Sequence, residues 1–237
     1  MGEDKWDIND HGLRITFAAG GMGADARMFR PQQVAFPKLQ VVEWIPPESR
    51  ESIAHYAARL VEQVVLTPHT VLGGASFGGV VALEMAALIP VKKCLLIGSL
   101  RSPAGLRPTY RRLRHFSSLV SVAPICARVS LWLGRTMCRP LYRGVLRQLA
   151  DADGRFLNWA VRALLEWQLS AGITSVAIRQ IHGQRDWLLP VRFSQSDTTV
   201  PDAGHLLSLT HAEVVNGFIK EQLDVDPARL PSDGSPA

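Results

Sequence analysis

Residues 71–86 read VLGGASFGGVVALEMA, and the order of residue types along them decides the fold. The run 70–76 is apolar and short, as a buried strand requires, and residues 76–89 are apolar almost all round, as a buried helix requires. Where one becomes the other stand Gly74, Ser76, Gly78 and Gly79, so bulk is excluded and a hydroxyl is left at the apex. Gly74-Ala75-Ser76-Phe77-Gly78 is a G-x-S-x-G pentapeptide. Alone it is weak, arising by chance roughly one time in ten in a chain of this length. The strand before it and the helix after it raise its meaning. A serine on such a strained turn projects its Oγ from the carboxyl end of a sheet, over the N-terminus of the next helix. The plainer reading is a glycine-rich junction with an incidental serine.

Further short apolar runs recur on either side: RITFAAG (14–20), LQVVEWIP (39–46), VKKCLLIGS (91–99), TSVAIRQIHG (174–183) and SDTTVP (196–201). Several are apolar nearly throughout, which suits strands covered on both faces of a parallel sheet. Between them, residues 51–64 carry Ile53, Ala57, Leu60 and Val64 at helical spacing, and 210–223 opens with Thr210 and Glu213 in capping-box spacing. The alternation predicts an α/β fold: a mainly parallel central sheet flanked by helices. Residues 101–170 contain no strand pattern and are divided by Pro103, Pro108, Pro124 and Pro140, so they are expected to form an inserted helical cap. The expected organisation is a core from 1–100 and 171–223, a cap from 101–170, and a disordered tail at 224–237.

The chain has 237 residues, 47% of them hydrophobic, enough for one sizeable core. The polar, acidic start MGEDKWDINDHG is not a secretory signal, and Trp6 breaks the myristoylation pattern. The uncharged stretch 116–127 is too short to cross a bilayer. Cys94, Cys126 and Cys138 show no C-x-x-C spacing, so neither a disulfide scaffold nor a metal site is expected, and reduced thiols suit a cytoplasmic setting. Between Arg101 and Arg162 lie 12 Arg and two acids, a charge of +10, so with a total of +5 the remainder carries −5. This basic segment matches no nucleic-acid-reading motif and nucleic acid is not an expected partner; a solvated helical face is the simpler account.

A serine hydroxyl needs a base and an orienting acid to act as a nucleophile. Of seven histidines, His205 in VPDAGHLLSLT lies between the last strand and the last helix, at the carboxyl edge of the sheet. His182, at a strand end in QIHGQRD, is its nearest rival, though packing suits it better. Asp186 follows the same strand; Asp197 and Asp202 read as turn formers, and the loop after CLLIGS has no carboxylate. Asp186 would fix the His205 tautomer and stabilise the imidazolium. After the first strand, Gly20-Gly21-Met22-Gly23 lets backbone approach the site. The N–H groups of Met22 and Phe77 would then form an oxyanion hole.

With GGMGADARMFRPQ, GGASFGG, IHGQRDWLLP and VPDAGHLLS in that order, the chain resembles α/β-hydrolase-fold enzymes along nearly its whole length. The resemblance implies oxyanion loop, nucleophile, acid and base in sequence. It also implies an eight-stranded sheet in its full form, whereas this sequence offers six strands, with room for at most one short edge strand before residue 14. The dehalogenases and epoxide hydrolases of that fold use an aspartate nucleophile, which Ser76 excludes. The expected activity is hydrolysis of a carboxylic ester through an acyl-enzyme, without cofactor. The alternatives are an acyl thioesterase, for example on coenzyme A esters, and a non-catalytic small-molecule receptor. Apolar residues of the cap such as Leu119, Val122, Leu131 and Trp132 suggest an acyl pocket. The cap arginines could meet substrate phosphates or, as the lesser alternative, an anionic membrane surface.

Overall fold

Strand β3 (Thr70–Ala75) is buried at every position, and its neighbours β1 (Arg14–Ala18) and β4 (Lys93–Ile97) lie parallel to it on either side. The computed structural model describes residues 14–18, 20–22, 24–107, 109–110, 124, 126 and 140–224. With β2 (Leu39–Val42), β5 (Ile178–Gly183) and β6 (Thr198–Val200), these strands form one six-stranded sheet in the order β2-β1-β3-β4-β5-β6, all pairs parallel. Register is keyed by packing: Phe17 pairs with Gly73, where a Cβ would come within 2.7 Å of the Phe17 ring. The fold is the expected one. A shared carboxyl edge follows from parallel pairing, so the loops after β1, β3, β5 and β6 open on the same side.

Helices cover both faces. Helix α1 (Arg30–Ala35) has a proline in its first turn and packs with the C-terminal helices. Helix α2 (Ile53–Val61) is capped by the Ser52 hydroxyl, which accepts the His55 N–H, and buries Ile53, Tyr56, Ala57 and Leu60. Helix α3 (Phe77–Leu88) follows β3 directly and is buried from Phe77 to Ala86, which explains its lack of a polar face. It even buries Glu84, whose carboxylate accepts the Trp167 indole N–H at 2.7 Å and the Ser170 hydroxyl. The core divides into two apolar clusters, one on each side of the sheet, the α2–α3 side joined by Phe156 and Trp159.

Between β4 and β5 the described residues are helical: a short 3₁₀ turn at Pro103–Gly105, then α4 (Pro140–Asp151) and α5 (Gly154–Leu165). Asp153 caps α5 by accepting the Arg155 N–H at 2.9 Å, and the Trp159 indole donates to Glu51 O across to the sheet body. Leu119, Val122, Leu131 and Trp132, and the tail beyond Asp224, lie outside the described residues.

Two expectations are corrected. The closing helix is not one helix from Thr210 but two, α6 (Leu207–Thr210) and α7 (Ala212–Asp224), interrupted at His211. Thr210 does not open a helix: its hydroxyl donates to Leu206 O in the turn behind it, the local bond that competes with capping. The run 174–183 is strand only from Ile178, because Ala171–Ser175 coils into a 3₁₀ turn whose Gly172 lies against the backbone carbonyl of Ala87.

Glycines give a paired test. A Cβ at Gly74 would lie 2.5 Å from the carbonyl carbon and oxygen of Gly78, whereas one at Gly217 in α7 meets nothing within 4 Å. Urea unfolding is expected to show Gly74→Ala destabilised by about 1–3 kcal/mol through overpacking. Gly217→Ala should be stabilised by about 0.5–1 kcal/mol through helix propensity. Equal behaviour of the two variants would contradict this packing.

Candidate active site

Ser76 occupies the turn between β3 and α3 with φ 52° and ψ −122°, a conformation that a residue with a side chain adopts only under constraint. The constraint is visible on both sides of the peptide unit. Its N–H donates to Ile97 O at 3.0 Å, and its carbonyl accepts the Ser99 hydroxyl at 2.6 Å. The backbones of Gly74 and Gly78 touch so closely that no methyl fits, and Gly79 is covered by the Ser99 side chain. These contacts turn the Ser76 hydroxyl away from the sheet.

Its partner is His205, in the loop between β6 and α6, whose Nε2 lies 2.9 Å from Ser76 Oγ. On the other side of the ring, His205 Nδ1 lies 2.8 Å from Asp186 Oδ2. An ionised carboxylate only accepts, so Nδ1 carries the proton and the Nε2 lone pair faces the serine hydroxyl. Asp186, just beyond β5, is held from every direction. Its Oδ1 accepts the N–H groups of Leu188 at 2.9 Å and Leu189 at 2.8 Å. Burial alone would push its carboxyl up. The bonds from His182 and His205, the nearby His205 charge and the Leu189 N–H outweigh that, and hold it well below the usual carboxylate range.

His182 is fully buried, with Nε2 2.6 Å from Leu189 O and 3.3 Å from Asp186 Oδ2. A carbonyl can only accept, so Nε2 carries the hydrogen, and the Gln180 amide lies 3.3 Å from Nδ1. The structure therefore separates the two histidines: His205 meets the serine, and His182 braces the acid. Asp197 instead accepts the Gln180 N–H at 2.6 Å and pairs with Arg101, while Asp202 sits in a turn with φ 61° and pairs with Arg185.

Gly20, Gly21 and Met22 run beside this chain of contacts. A Cβ on Gly21 would lie 3.3 Å from the Ser76 Cβ and 3.5 Å from its Oγ, so the loop passes in close contact with the serine. A Cβ on Gly20 would meet the Met28 sulfur at 2.6 Å. Gly23 lies outside the described residues. Phe77, the first residue of α3, is buried next to Ser76, where a helix N-terminus leaves backbone N–H groups without intrahelical acceptors. Met22 and Phe77 both border a cavity of about 510 Å³ over Ser76 and His205. The cavity walls are nearly all apolar, supplied by Met28, Val80 and Leu100 from the body and by Val145, Leu149 and Val161 from α4 and α5. Trp187, 74% exposed, stands at its rim.

Sequence reasoning gave His182 the packed role it has but missed its contact with Asp186, the Ser99 bond to the serine carbonyl and Gly98. Gly98 has φ 53° and lies where a Cβ would strike Leu207 and stand 4.0 Å from Asp186 Oδ2. Only the last left a signal in the sequence, a glycine ending an apolar strand. Among the described residues, Glu48, Glu51 and His55 also cluster, and Arg59 pairs with both acids, offsetting one of their two negative charges.

Because Asp186 is depressed in the folded state, its contribution to stability is complete above the ordinary carboxylate pKa of ~4 and fades as pH falls toward its lower folded value. The stability gap between the protein and Asp186→Asn is expected to be flat above about pH 5 and to shrink steadily below about pH 4. Urea titrations at stepped pH measure it; a gap that widens on acidification would contradict the network.

Residues 21–217 match the model of the alpha/beta hydrolase family. Among curated protein sequences none shows significant similarity to this chain. Solved structures share the fold at low identity. A thermophilic esterase from Thermogutta terrifontis with malate bound has a TM-score of 0.66 at 22% identity, covering 90% of this chain and 89% of its own. An esterase from Exiguobacterium antarcticum reaches 0.70 at 17% identity, with 90% and 92% covered. An enol-lactonase from Burkholderia xenovorans LB400 reaches 0.67 at 15% identity, with 92% and 94% covered. The family match spans most of the chain and agrees with the parallel sheet already described: the chain belongs to the alpha/beta hydrolase family.

Proposed function

We propose that this protein is a serine hydrolase that cleaves a carboxylic ester through an acyl-enzyme. One observation carries the proposal: the unbroken run of short contacts from Ser76 Oγ to His205 Nε2 and from His205 Nδ1 to Asp186 Oδ2. In the first half-reaction Ser76 Oγ attacks the acyl carbon while its proton passes to His205 Nε2. The C–O bond to the leaving group then breaks, and His205 returns the proton to the departing oxygen. In the second, water attacks the acyl-enzyme and gives its proton to His205; the acid leaves and Ser76 regains its hydrogen. Asp186 keeps the imidazole in the productive tautomer and stabilises its charged form without taking the proton. The N–H groups of Met22 and Phe77 would receive the developing oxyanion, the second at the positive end of α3.

In this reading the segment 101–170 acts as a cap, and the apolar cavity between α4, α5 and the sheet body receives the acyl chain. Fold relatives that are esterases and a lactonase are compatible with this acyl chemistry. Neither metal nor cofactor enters the mechanism. No described helix is long and apolar enough to cross a membrane. A reducing, cytoplasmic location belongs to the same proposal, with Cys94 and Cys126 free among the described residues. Thioester cleavage is the second reading, favoured by the arginine groove described below.

A panel of p-nitrophenyl esters of graded chain length tests the proposal. Ser76→Ala is expected to lower kcat by about 10⁴-fold or more and Asp186→Asn by about 10⁴-fold. Ser76→Ala combined with His205→Ala should be no worse than either alone, because the residues act as a unit. Additive losses, or undiminished turnover in Ser76→Ala, would refute the mechanism. An intact protein that binds the esters without turnover would instead be a receptor.

A further inference from the structure

Next to the cavity over Ser76 lie two surface grooves, each sharing wall residues with its neighbour. Ala24 and Gln148 line both the cavity and a groove of about 270 Å³ walled by Trp44, Ile45 and Pro46. Pro47 and Asp153 line both that groove and a third, of about 500 Å³, where Arg50, Arg155 and Arg162 meet. The three depressions thus lie in series: an apolar cavity over the serine, a narrow groove with apolar walls, and a groove where Arg50, Arg155 and Arg162 stand with Glu48 and Asp153.

The charges along these depressions are unevenly satisfied. Asp25 and Asp151 are both bound by Arg27. Glu48 pairs with Arg59 at 3.4 Å, and Asp153 is engaged as the cap of α5. Among the described residues, no side-chain hydrogen bond or ion pair occupies the guanidinium groups of Arg50, Arg155 and Arg162. Arg162 is half-buried. Arg50 is held at φ 58°, in the region that residues with side chains seldom enter. Three arginines from two distant parts of the chain converge with their donors uncommitted. Such planar donor sets suit phosphate oxygens, which accept two parallel N–H bonds from one guanidinium.

We infer that Arg50, Arg155 and Arg162 bind the phosphates of a thiol leaving group of the coenzyme A class, released from an acyl thioester cleaved at Ser76. The acyl chain fills the apolar cavity, the flexible arm lies along Trp44 and Pro46 past the Gln148 amide, and the phosphates meet the arginines. The chemistry balances as for an ester. Ser76 Oγ bonds to the acyl carbon, the C–S bond breaks, and His205 passes the serine proton to the departing sulfur; water then releases the acid. The inference takes up the thioester reading of the same catalytic residues and, for its kinetic half, rests on their acting as a hydrolase.

Two measurements separate the claims. Calorimetric titration of coenzyme A into Ser76→Ala protein is expected to show binding that weakens at least tenfold in Arg50→Gln/Arg155→Gln/Arg162→Gln, and that weakens as salt is raised. Arg50→Gln/Arg155→Gln, changing only exposed residues, should reproduce the direction if the triple variant folds poorly. Kinetically, the ratio of kcat/KM for an acyl-coenzyme A to that for the matched N-acetylcysteamine thioester, which lacks phosphates, should fall at least tenfold in the same variants, mainly through KM. No binding of coenzyme A, binding indifferent to the arginines, or an unchanged ratio would overturn the inference. Ester hydrolysis without coenzyme A binding removes the groove and spares the hydrolase; coenzyme A binding without any hydrolysis removes the hydrolase and spares the groove.

Discussion

At the turn from β3 to α3 the backbones of Gly74 and Gly78 lie so close that only hydrogen fits between them, and Ser76 is bent to φ 52° as a result. Such a conformation is unfavourable by roughly 1–3 kcal/mol and persists only when its surroundings over-determine it. Here they do: β3 is buried at every position, α3 over nearly all its length, and the bonds from Ile97 and Ser99 fasten the serine peptide from both sides. The parallel sheet, the all-round apolar helix and the cavity are consequences of holding that one hydroxyl at the carboxyl edge. A looser junction would bury the serine side chain or let it rotate away from His205.

Around that point the electrostatics are arranged by division of labour between two imidazoles on one carboxylate. His182 is sealed in the core, donating to Leu189 O beside Asp186, while His205 keeps one nitrogen on Asp186 and the other on Ser76. Two backbone N–H groups complete the acid's coordination. A carboxylate so supplied with donors stays ionised, and a fixed negative charge is what an imidazole needs beside it if it is to take a proton. The cavity adds the complementary property, an apolar wall over the serine built partly by α4 and α5.

Much of this was legible in the sequence, for definite reasons. Strands covered on both faces must be apolar throughout, so β3 and β4 announced themselves, and the serine lay at the one place where strand and helix meet through glycines. Asp186 and His205 could be found because parallel topology brings the ends of β5 and β6 to the edge where β3 ends. What escaped depends on contacts that no periodicity records. The role of His182 is decided by a carbonyl seven residues on, at Leu189. The break at His211 turns on Thr210 choosing a carbonyl behind it over an N–H ahead. The meeting of Arg50 with Arg155 and Arg162 joins a loop before α2 to a helix about a hundred positions later. The basic segment was visible as charge, but that Arg101 pairs with Asp197 while Arg155 and Arg162 line a surface groove is a property of the folded surface.

The central claim is that Ser76 is a nucleophile activated by His205. Incubating the protein with a fluorophosphonate probe and mapping the adduct by peptide mass spectrometry tests it most directly. The account predicts one adduct per chain, on the peptide containing Ser76, formed far more slowly when His205 is changed to Ala. No adduct on the intact protein, or one carried by a different residue, would contradict it.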